Sequence, residues 1–127
     1  MYNIFLIGIG GFIGTILRYI LSGLIQQGMR DASFPYGTLF VNLSGCFAVG
    51  FLSYLSENYG LLPGAQRPFV FIGMLGGFTT FSTFMNESMH LAMDKEAFMT
   101  FLNILLHIVL GMMALWLGRL IAYKSWR

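Results

Sequence analysis

Apolar residues dominate four long segments of the chain, and short stretches rich in glycine, proline and charge separate them. The segments run over about residues 4–25, 37–55, 69–93 and 97–123. An α-helix needs roughly 20 predominantly apolar residues to cross a bilayer, and each segment is long enough. The pattern therefore predicts an all-α membrane protein with four transmembrane helices, folded as a single domain over residues 1–127.

The third segment reads poorly as one continuous helix because it contains the run GMLGGFTTFSTF at residues 73–84. Each glycine lowers helix propensity by about 1 kcal/mol relative to alanine. The serine and threonine hydroxyls compete with the helix for backbone hydrogen bonds. Irregular backbone at membrane depth is tolerated where protein buries it or where it lines a water-filled cavity. We predict a broken third helix whose interruption serves an ion.

Composition supports the membrane assignment and narrows the function. Charged residues make up 9% of the chain, whereas soluble domains carry about 25%. The net charge of +2 is too small to indicate nucleic-acid binding. Cys46 is the single cysteine, so it has no partner for an intrachain disulfide and none at metal-ligand spacing. The sequence offers no nucleophile with a paired base, no carboxylate pair and no phosphate-binding loop, and it does not predict an enzyme.

Arg18 and Glu87 are the ionisable residues that lie deepest within their predicted spans. Charges inside a membrane are costly, and they usually face a bundle interior, a cavity or each other. Arg18 could reach the interface by snorkelling, or it could concentrate anions at a wet vestibule. Glu87 fits a structural hydrogen bond and a place along a solute pathway equally well.

Polar and aromatic side chains within the spans supply further candidates. The carboxamide of Asn42 needs a partner, which is either another helix or a passing anion. Asn103 and His107 lie four residues apart, on one face of the fourth helix. Phe81 and Phe84 share a helical face beside hydroxyl groups, and the positive edges of their rings could replace part of an anion's water shell. Ordinary helix packing is the alternative for each.

The break permits a cation ligand as well. Carbonyl groups released where a helix unwinds can coordinate Na⁺, and Gly76 and Thr79 flank such a turn. A tight kink without a ligand is the alternative.

Lysine and arginine show only a weak bias between the two sides of the predicted bundle. Arg67, Arg119, Lys124 and Arg127 fall on one side, and Arg30 and Lys95 on the other, with Arg18 inside the membrane. Because an excess of basic residues fixes orientation, this weak bias is compatible with insertion in both directions. Four short helices enclose little interior, so we expect a homo-oligomer, and two chains is the usual number.

These motifs resemble those of the small four-helix fluoride channels of the Fluc type, the CrcB family. The shared residues are GGxxGxxxR at 10–18, GTLxxN at 37–42, and GGFTTFSTF at 76–84 followed by Glu87. The resemblance covers essentially the whole chain. It implies an antiparallel homodimer in a bacterial plasma membrane, inserted in both orientations, with two pores through which F⁻ leaves the cytoplasm passively and fluoride toxicity falls.

The resemblance also implies residue roles. The ring edges of Phe81 and Phe84 would meet fluoride and Asn42 would donate to it. The carbonyls of Gly76 and Thr79 from both chains would hold a structural Na⁺ on the two-fold axis. The other implied positions are Ser82 and Thr83 along the polar path, and Thr38 and Arg18 toward a vestibule. The fourth helix of family members commonly shows a polar track of Ser, Tyr or Asn, often with Gly-Ser near its centre. This chain has Asn103, His107 and Leu110-Gly111, so a serine hydroxyl is missing at position 111.

Two other functions remain open at this point. A small proton-coupled exporter of dual topology would use Glu87 as its titratable coupling group. A subunit that transports nothing would use its small-residue faces for assembly alone.

Overall fold

The computed structural model describes residues 1–29 and 33–126. Four helical spans follow one another, Tyr2–Gly28, Tyr36–Tyr59, Gln66–Met93 and Ala97–Ser125, and each is long and apolar enough to cross a membrane. The predicted all-helical class with four membrane-spanning helices is confirmed. Each span reaches further than its apolar segment on at least one side, because polar residues continue the helix at its ends. Arg30 and Arg127, which contributed to the predicted charge bias, lie outside the described residues.

The third span is built from four helical pieces and one interruption. It begins with a helical turn at Gln66–Pro68 and continues as wider π-helical turns over Phe69–Leu75, then as a short α-helical piece, Gly76–Phe78. Thr79 and Thr80 follow in extended conformation, with φ/ψ of −89°/157° and −150°/118°. The α-helix resumes at Phe81 and ends at Met93. The expected break is therefore present in the middle of the span.

The glycines of the third span do not form the break, contrary to the propensity argument. Gly73 and Gly77 keep helical conformation and pack against the first helix. A Cβ added at Gly73 would lie 2.6 Å from the carbonyl oxygen of Ile7, and one at Gly77 would lie 2.7 Å from that of Gly11. Their role is close backbone approach, and the interruption falls at the two threonines that follow.

The first helix contributes glycines to the same contact. A Cβ at Gly10 would lie 2.6 Å from the carbonyl oxygen of Phe69, and one at Gly14 would lie 2.0 Å from that of Met74. Small residues on facing helices allow such close packing in membranes. The spacing of small residues in the first helix thus has its partner in the first half of the third span.

The second and fourth helices form a second close pair. A Cβ at Gly50 would lie 2.0 Å from the carbonyl oxygen of Leu115, and one at Gly118 would lie 2.2 Å from that of Phe47. Near the same end of these helices, Arg119 forms an ion pair with Glu57 at 2.9 Å. The molecule thus contains two tightly packed pairs, the first helix with the first half of the third span and the second helix with the fourth. The break at Thr79 and Thr80 lies where the two pairs meet.

Gln26 joins the first helix to the start of the second. Its Nε2 donates to the carbonyl of Phe34 at 3.0 Å, and its Oε1 accepts from the N–H of Gly37 at 3.1 Å. The first amides of a helix have no partner within the helix, so this side chain satisfies one of them and fixes where the second helix begins.

Glycine substitutions on the fourth helix should separate close packing from mere burial. Gly118→Ala places a methyl group against the backbone of Phe47, and overpacking of this kind costs about 1–3 kcal/mol. Gly111→Ala is the matched control, because its Cβ would lie 3.7 Å from Cys46 Sγ, an ordinary contact. We expect a lower thermal unfolding midpoint in detergent for Gly118→Ala only. Equal midpoints for the two variants would contradict this packing.

Candidate functional site

Asn42 on the second helix binds the backbone of Thr80 with both ends of its carboxamide. Its Oδ1 accepts from the N–H of Thr80 at 2.8 Å, and its Nδ2 donates to the carbonyl of Thr80 at 3.0 Å. An extended residue can offer its N–H and C=O side by side to one neighbour, as it does in a sheet. The carboxamide therefore takes the place of a peptide group, and it finds on the third span the partner that a polar group inside a bundle needs.

The hydroxyl of Thr80 caps the second half of the third span. Its Oγ1 accepts from the N–H of Thr83 at 3.3 Å and lies 2.9 Å from the hydroxyl of Thr83. Threonine is a favoured residue at the position before a helix because its oxygen satisfies an amide that has no helical partner. Thr80 was not among the predicted site residues, although its place three residues before Thr83 is an N-cap signal.

Gly76 and Thr79 lose their usual hydrogen-bond donors at the break. In an α-helix each carbonyl accepts from the N–H four residues later, which means Thr80 for Gly76 and Thr83 for Thr79. The N–H of Thr80 donates to Asn42 instead, and the N–H of Thr83 donates to the hydroxyl of Thr80. Gly76 is also exposed on the surface of the chain. The two predicted cation ligands are thus among the carbonyls that lose their helical donors at the break, and in both cases a side chain holds the lost amide.

Phe81 and Phe84 contact each other but differ sharply in exposure. Their ring centroids lie 5.8 Å apart. Phe84 is 5% exposed, whereas Phe81 is 73% exposed. The ring of His107 packs on Phe84 with centroids 4.1 Å apart and the planes inclined at 32°. The two phenylalanines therefore connect the interior of the bundle with its surface.

The polar residues of the fourth helix form a chain of hydrogen bonds that leads to Phe84. Asn103 is fully buried, and its Nδ2 donates to the hydroxyl of Ser88 at 3.0 Å. That hydroxyl donates to the carbonyl of Phe84 at 2.8 Å. Ser88 was not selected from the sequence. Its position four residues after Phe84, on the same helical face, was the signal that could have identified it.

His107 lies one turn further along the fourth helix. Its Nδ1 is 2.9 Å from the carbonyl oxygen of Asn103. Because a carbonyl only accepts, a neutral ring carries its proton on Nδ1 and presents a lone pair at Nε2. Among the described residues, His107 Nε2 and Asn103 Oδ1 are buried without a hydrogen-bond partner. In this state both atoms are acceptors.

Glu87 is bound by Thr38 across the bundle. The hydroxyl of Thr38, a buried residue, donates to Glu87 Oε1 at 2.6 Å. Glu87 Oε2 is buried and has no hydrogen-bond partner within the described part of the chain. The carboxyl group thus has a structural hydrogen bond on one oxygen and an unused acceptor on the other.

Three adjoining spaces connect these groups. A cavity of about 390 Å³ is lined in part by Glu87 and Thr38. A second, of about 270 Å³, shares Thr38 and adds Arg18, Thr80 and Thr83. A groove of about 340 Å³ shares Thr80 and holds the remaining candidates, Asn42, Phe81, Phe84 and His107. Thr38 and Thr80 each line two of these spaces, and the polar residues along the three spaces form a series from the end of the bundle to the broken span, called the polar route below.

Two of the predicted anion-pathway positions lie off this route, as does Gly76, one of the two predicted cation ligands. Ser82 is exposed and is not among the residues that line the three spaces. Asn103 does not line them either. It contacts His107, which lines the groove, and Ser88, which binds the carbonyl of Phe84. Arg18, by contrast, is half-buried and lines the second cavity together with Thr38.

A bundle of four spans with one interrupted helix and a polar route to the break has the layout of a small membrane transport protein. Residues 5–119 match the family model described as CrcB-like protein, Camphor Resistance (CrcB). The chain is 44% identical to the fluoride-specific ion channel FluC 3 of Methanosarcina barkeri, over 96% of this chain and 91% of that protein. It is 44% identical to the fluoride-specific ion channel FluC of Methanococcus maripaludis, over 99% of this chain and all of that protein.

A relative from Geobacter, also called fluoride-specific ion channel FluC, is 39% identical over 96% of this chain and 98% of its own length. The family model and these relatives cover nearly the whole sequence. The chain belongs to the CrcB family and is a multi-pass membrane protein.

The bond between Thr38 and Glu87 can be tested by removing one hydroxyl. Thr38→Val keeps the shape of the side chain and leaves a buried carboxyl group without its donor, which typically costs about 1–3 kcal/mol. We expect a lower thermal unfolding midpoint in detergent. Thr38→Ser should retain the wild-type midpoint, and Thr38→Val should cost less when Glu87→Gln is already present. A wild-type midpoint for Thr38→Val would contradict the interaction.

Proposed function

We propose that this chain is a passive fluoride-specific ion channel, through which F⁻ leaves the cytoplasm and fluoride toxicity is lowered. Relatives that align over nearly the whole chain carry that name. The observation that carries the proposal is the groove at the break, where two phenylalanine rings adjoin amide and hydroxyl groups. Such a surface replaces water around a small hard anion without binding it as tightly as a full positive charge would.

The polar route accounts for entry of the anion. Arg18 supplies a positive charge at the second cavity and raises the local anion concentration. Thr38 and Thr83 place hydroxyl groups along the way. Asn42 has a second hydrogen on Nδ2, beyond the one that it donates to Thr80, and this hydrogen is available to an anion that reaches the groove.

The aromatic rings account for passage beyond Asn42. The edge of a phenyl ring carries partial positive charge, so Phe81 and Phe84 can face fluoride with their edges. The polar track of the fourth helix, with His107 and Asn103, continues from the inner ring. We assign Ser82 no contact within a single chain, and its exposed position leaves it available to a partner chain.

A second copy of the chain completes the pathway. The groove includes Phe81, whose ring is 73% exposed, so in a single chain an anion beside it would face lipid. A homodimer covers that side. Because the basic residues hardly favour one side, the two copies insert in opposite directions, and the two-fold symmetry gives two equivalent pores.

The free carbonyl oxygens at the break favour a bound sodium ion over the alternative of a kink without a ligand. Gly76 and Thr79 offer carbonyl oxygens whose usual helical donors are engaged elsewhere, and oxygen ligands suit a hard cation. Gly76 is exposed, so the same carbonyls of two chains can meet at the dimer axis. When bound, Na⁺ would supply fixed positive charge beside the pores.

Fluoride efflux from liposomes tests the function directly. Vesicles that contain the purified chain should release F⁻ without a proton gradient, as measured with a fluoride electrode. Phe81→Ile keeps an apolar side chain but removes the ring edge, and it should abolish release. Met85→Ile is the matched control, because Met85 is also exposed on the same half-span and lines none of the three spaces.

The same assay separates the channel from a proton-coupled exporter. The exporter is favoured by one observation, the buried Glu87 oxygen without a partner. It requires a proton gradient, and Glu87→Gln should eliminate cation export. Gradient-dependent cation export without a fluoride leak would overturn the channel, and vesicles with no ion leak at all would favour a subunit with an assembly role only.

Cross-linking tests the antiparallel dimer. In a Cys46→Ala background, Gly76→Cys lies at the middle of its span and should cross-link to its own copy in membranes. Phe98→Cys, exposed near the end of a span, should not, because its copy lies on the opposite side of the membrane in an antiparallel pair. Self-cross-linking through Phe98→Cys but not through Gly76→Cys would contradict the arrangement.

A further inference from the structure

We infer that Asn42 and Thr80 are positioning residues for the cation site, a role distinct from any contact that Asn42 makes with an anion. They keep the carbonyls of Gly76 and Thr79 free by occupying the two backbone amides that would otherwise bind those carbonyls. The inference rests on the proposed function, because that proposal supplies the cation.

The first half of the argument concerns Gly76. Its carbonyl could accept from the N–H of Thr80 if the helix continued through the break. Asn42 Oδ1 takes that N–H at 2.8 Å, and Asn42 Nδ2 holds the carbonyl of the same residue at 3.0 Å. With both backbone groups of Thr80 satisfied from the side, its extended conformation is stable within the membrane, where an unsatisfied backbone group is costly.

The second half concerns Thr79. Its carbonyl could accept from the N–H of Thr83, but the hydroxyl of Thr80 accepts that N–H at 3.3 Å. Thr79 itself is fixed from the other side, because its N–H and its hydroxyl both lie 3.0 Å from the carbonyl of Leu75. Thr80 thus takes part in both interactions. Its backbone is bound by Asn42, and its hydroxyl caps the helix that follows.

The break removes the usual donors of four consecutive carbonyls, those of residues 76–79, because an α-helical carbonyl accepts from the N–H four residues later. The two ends of this run differ from its middle. For Gly76 and Thr79 the lost amide is held by a side-chain acceptor, Asn42 Oδ1 for the N–H of Thr80 and Thr80 Oγ1 for the N–H of Thr83.

The substitutions that test this inference remove one acceptor each. Asn42→Leu has similar size and returns the N–H of Thr80 to Gly76. Thr80→Val is isosteric and returns the N–H of Thr83 to Thr79, whereas Thr80→Ser keeps the hydroxyl. Ser44→Ala is a further control on the second helix, because the hydroxyl of Ser44 bonds only to carbonyls of its own helix among the contacts described, those of Phe40 and Val41.

The measurement is the thermal unfolding midpoint of the purified protein in detergent as Na⁺ replaces choline at constant ionic strength. A cation that binds only the folded protein raises the midpoint as its concentration increases. We expect wild type, Thr80→Ser and Ser44→Ala to respond alike. Asn42→Leu and Thr80→Val should need about tenfold more Na⁺ for the same rise, the equivalent of losing one well-placed interaction.

The outcomes are separable. A uniformly lower midpoint for Asn42→Leu and Thr80→Val, with the Na⁺ response unchanged, would assign these residues to stability alone and overturn the inference. A wild-type midpoint that does not respond to Na⁺ would overturn the inference together with the cation site. Fluoride efflux is measured independently, so the channel assignment stands or fails by its own result.

Discussion

The pairing of one carboxamide with one extended residue is the constraint on which the centre of this protein depends. Hydrocarbon offers no hydrogen bonds, so a helix can be interrupted in a membrane only where another group satisfies the backbone. Asn42 provides both a donor and an acceptor to Thr80. Without that pairing the third span would have its lowest free energy as an unbroken helix. The carbonyls of Gly76 and Thr79 would then be bonded within the helix, and neither the helix start at Phe81 nor the position of its ring would be kept.

The polar groups around the break differ in what they can offer an anion. On the side of the second helix, Asn42 keeps one amide hydrogen beyond the one that it donates to Thr80, whereas the hydroxyl hydrogen of Thr38 goes to Glu87. On the other side, Asn103 and His107 of the fourth helix and Ser88 of the third span each direct a donor at an acceptor within the protein. The buried atoms left there without partners, Asn103 Oδ1 and His107 Nε2, are lone pairs. The two halves of the route are therefore chemically unequal.

Much of this architecture could be predicted from the sequence because membrane helices can be recognised from the length and the apolar composition of their segments. The four spans, an interruption of the third and a shared face for Asn103 and His107 on the fourth helix followed from pattern alone. The position of the break did not, because glycine has two uses that look the same in a sequence. It weakens a helix, and it also lets two backbones approach, and only the neighbouring helix decides between them. Gly73 and Gly77 have the second use.

The partners of individual side chains were also beyond the sequence. Asn42 and Thr80 are 38 residues apart, and nothing in either local pattern specifies that their registers coincide. The same holds for Thr38 and Glu87, and for Ser88 and Asn103. Candidate residues could be chosen by their chemistry and depth, whereas pairings required the packing of whole helices.

The contact between the first helix and the third span has an evolutionary consequence. At most packed interfaces a bulkier residue on one side can be compensated by a smaller one opposite. Here Gly10 approaches Gly73, and each would meet the other's backbone if it gained a side chain. Glycine has no side chain that could be shortened, so a larger residue at one position cannot be compensated by a smaller one at the other. Both glycines should therefore be conserved independently. Covariation, the usual signature of neighbouring residues, should be absent between them although their backbones are in contact.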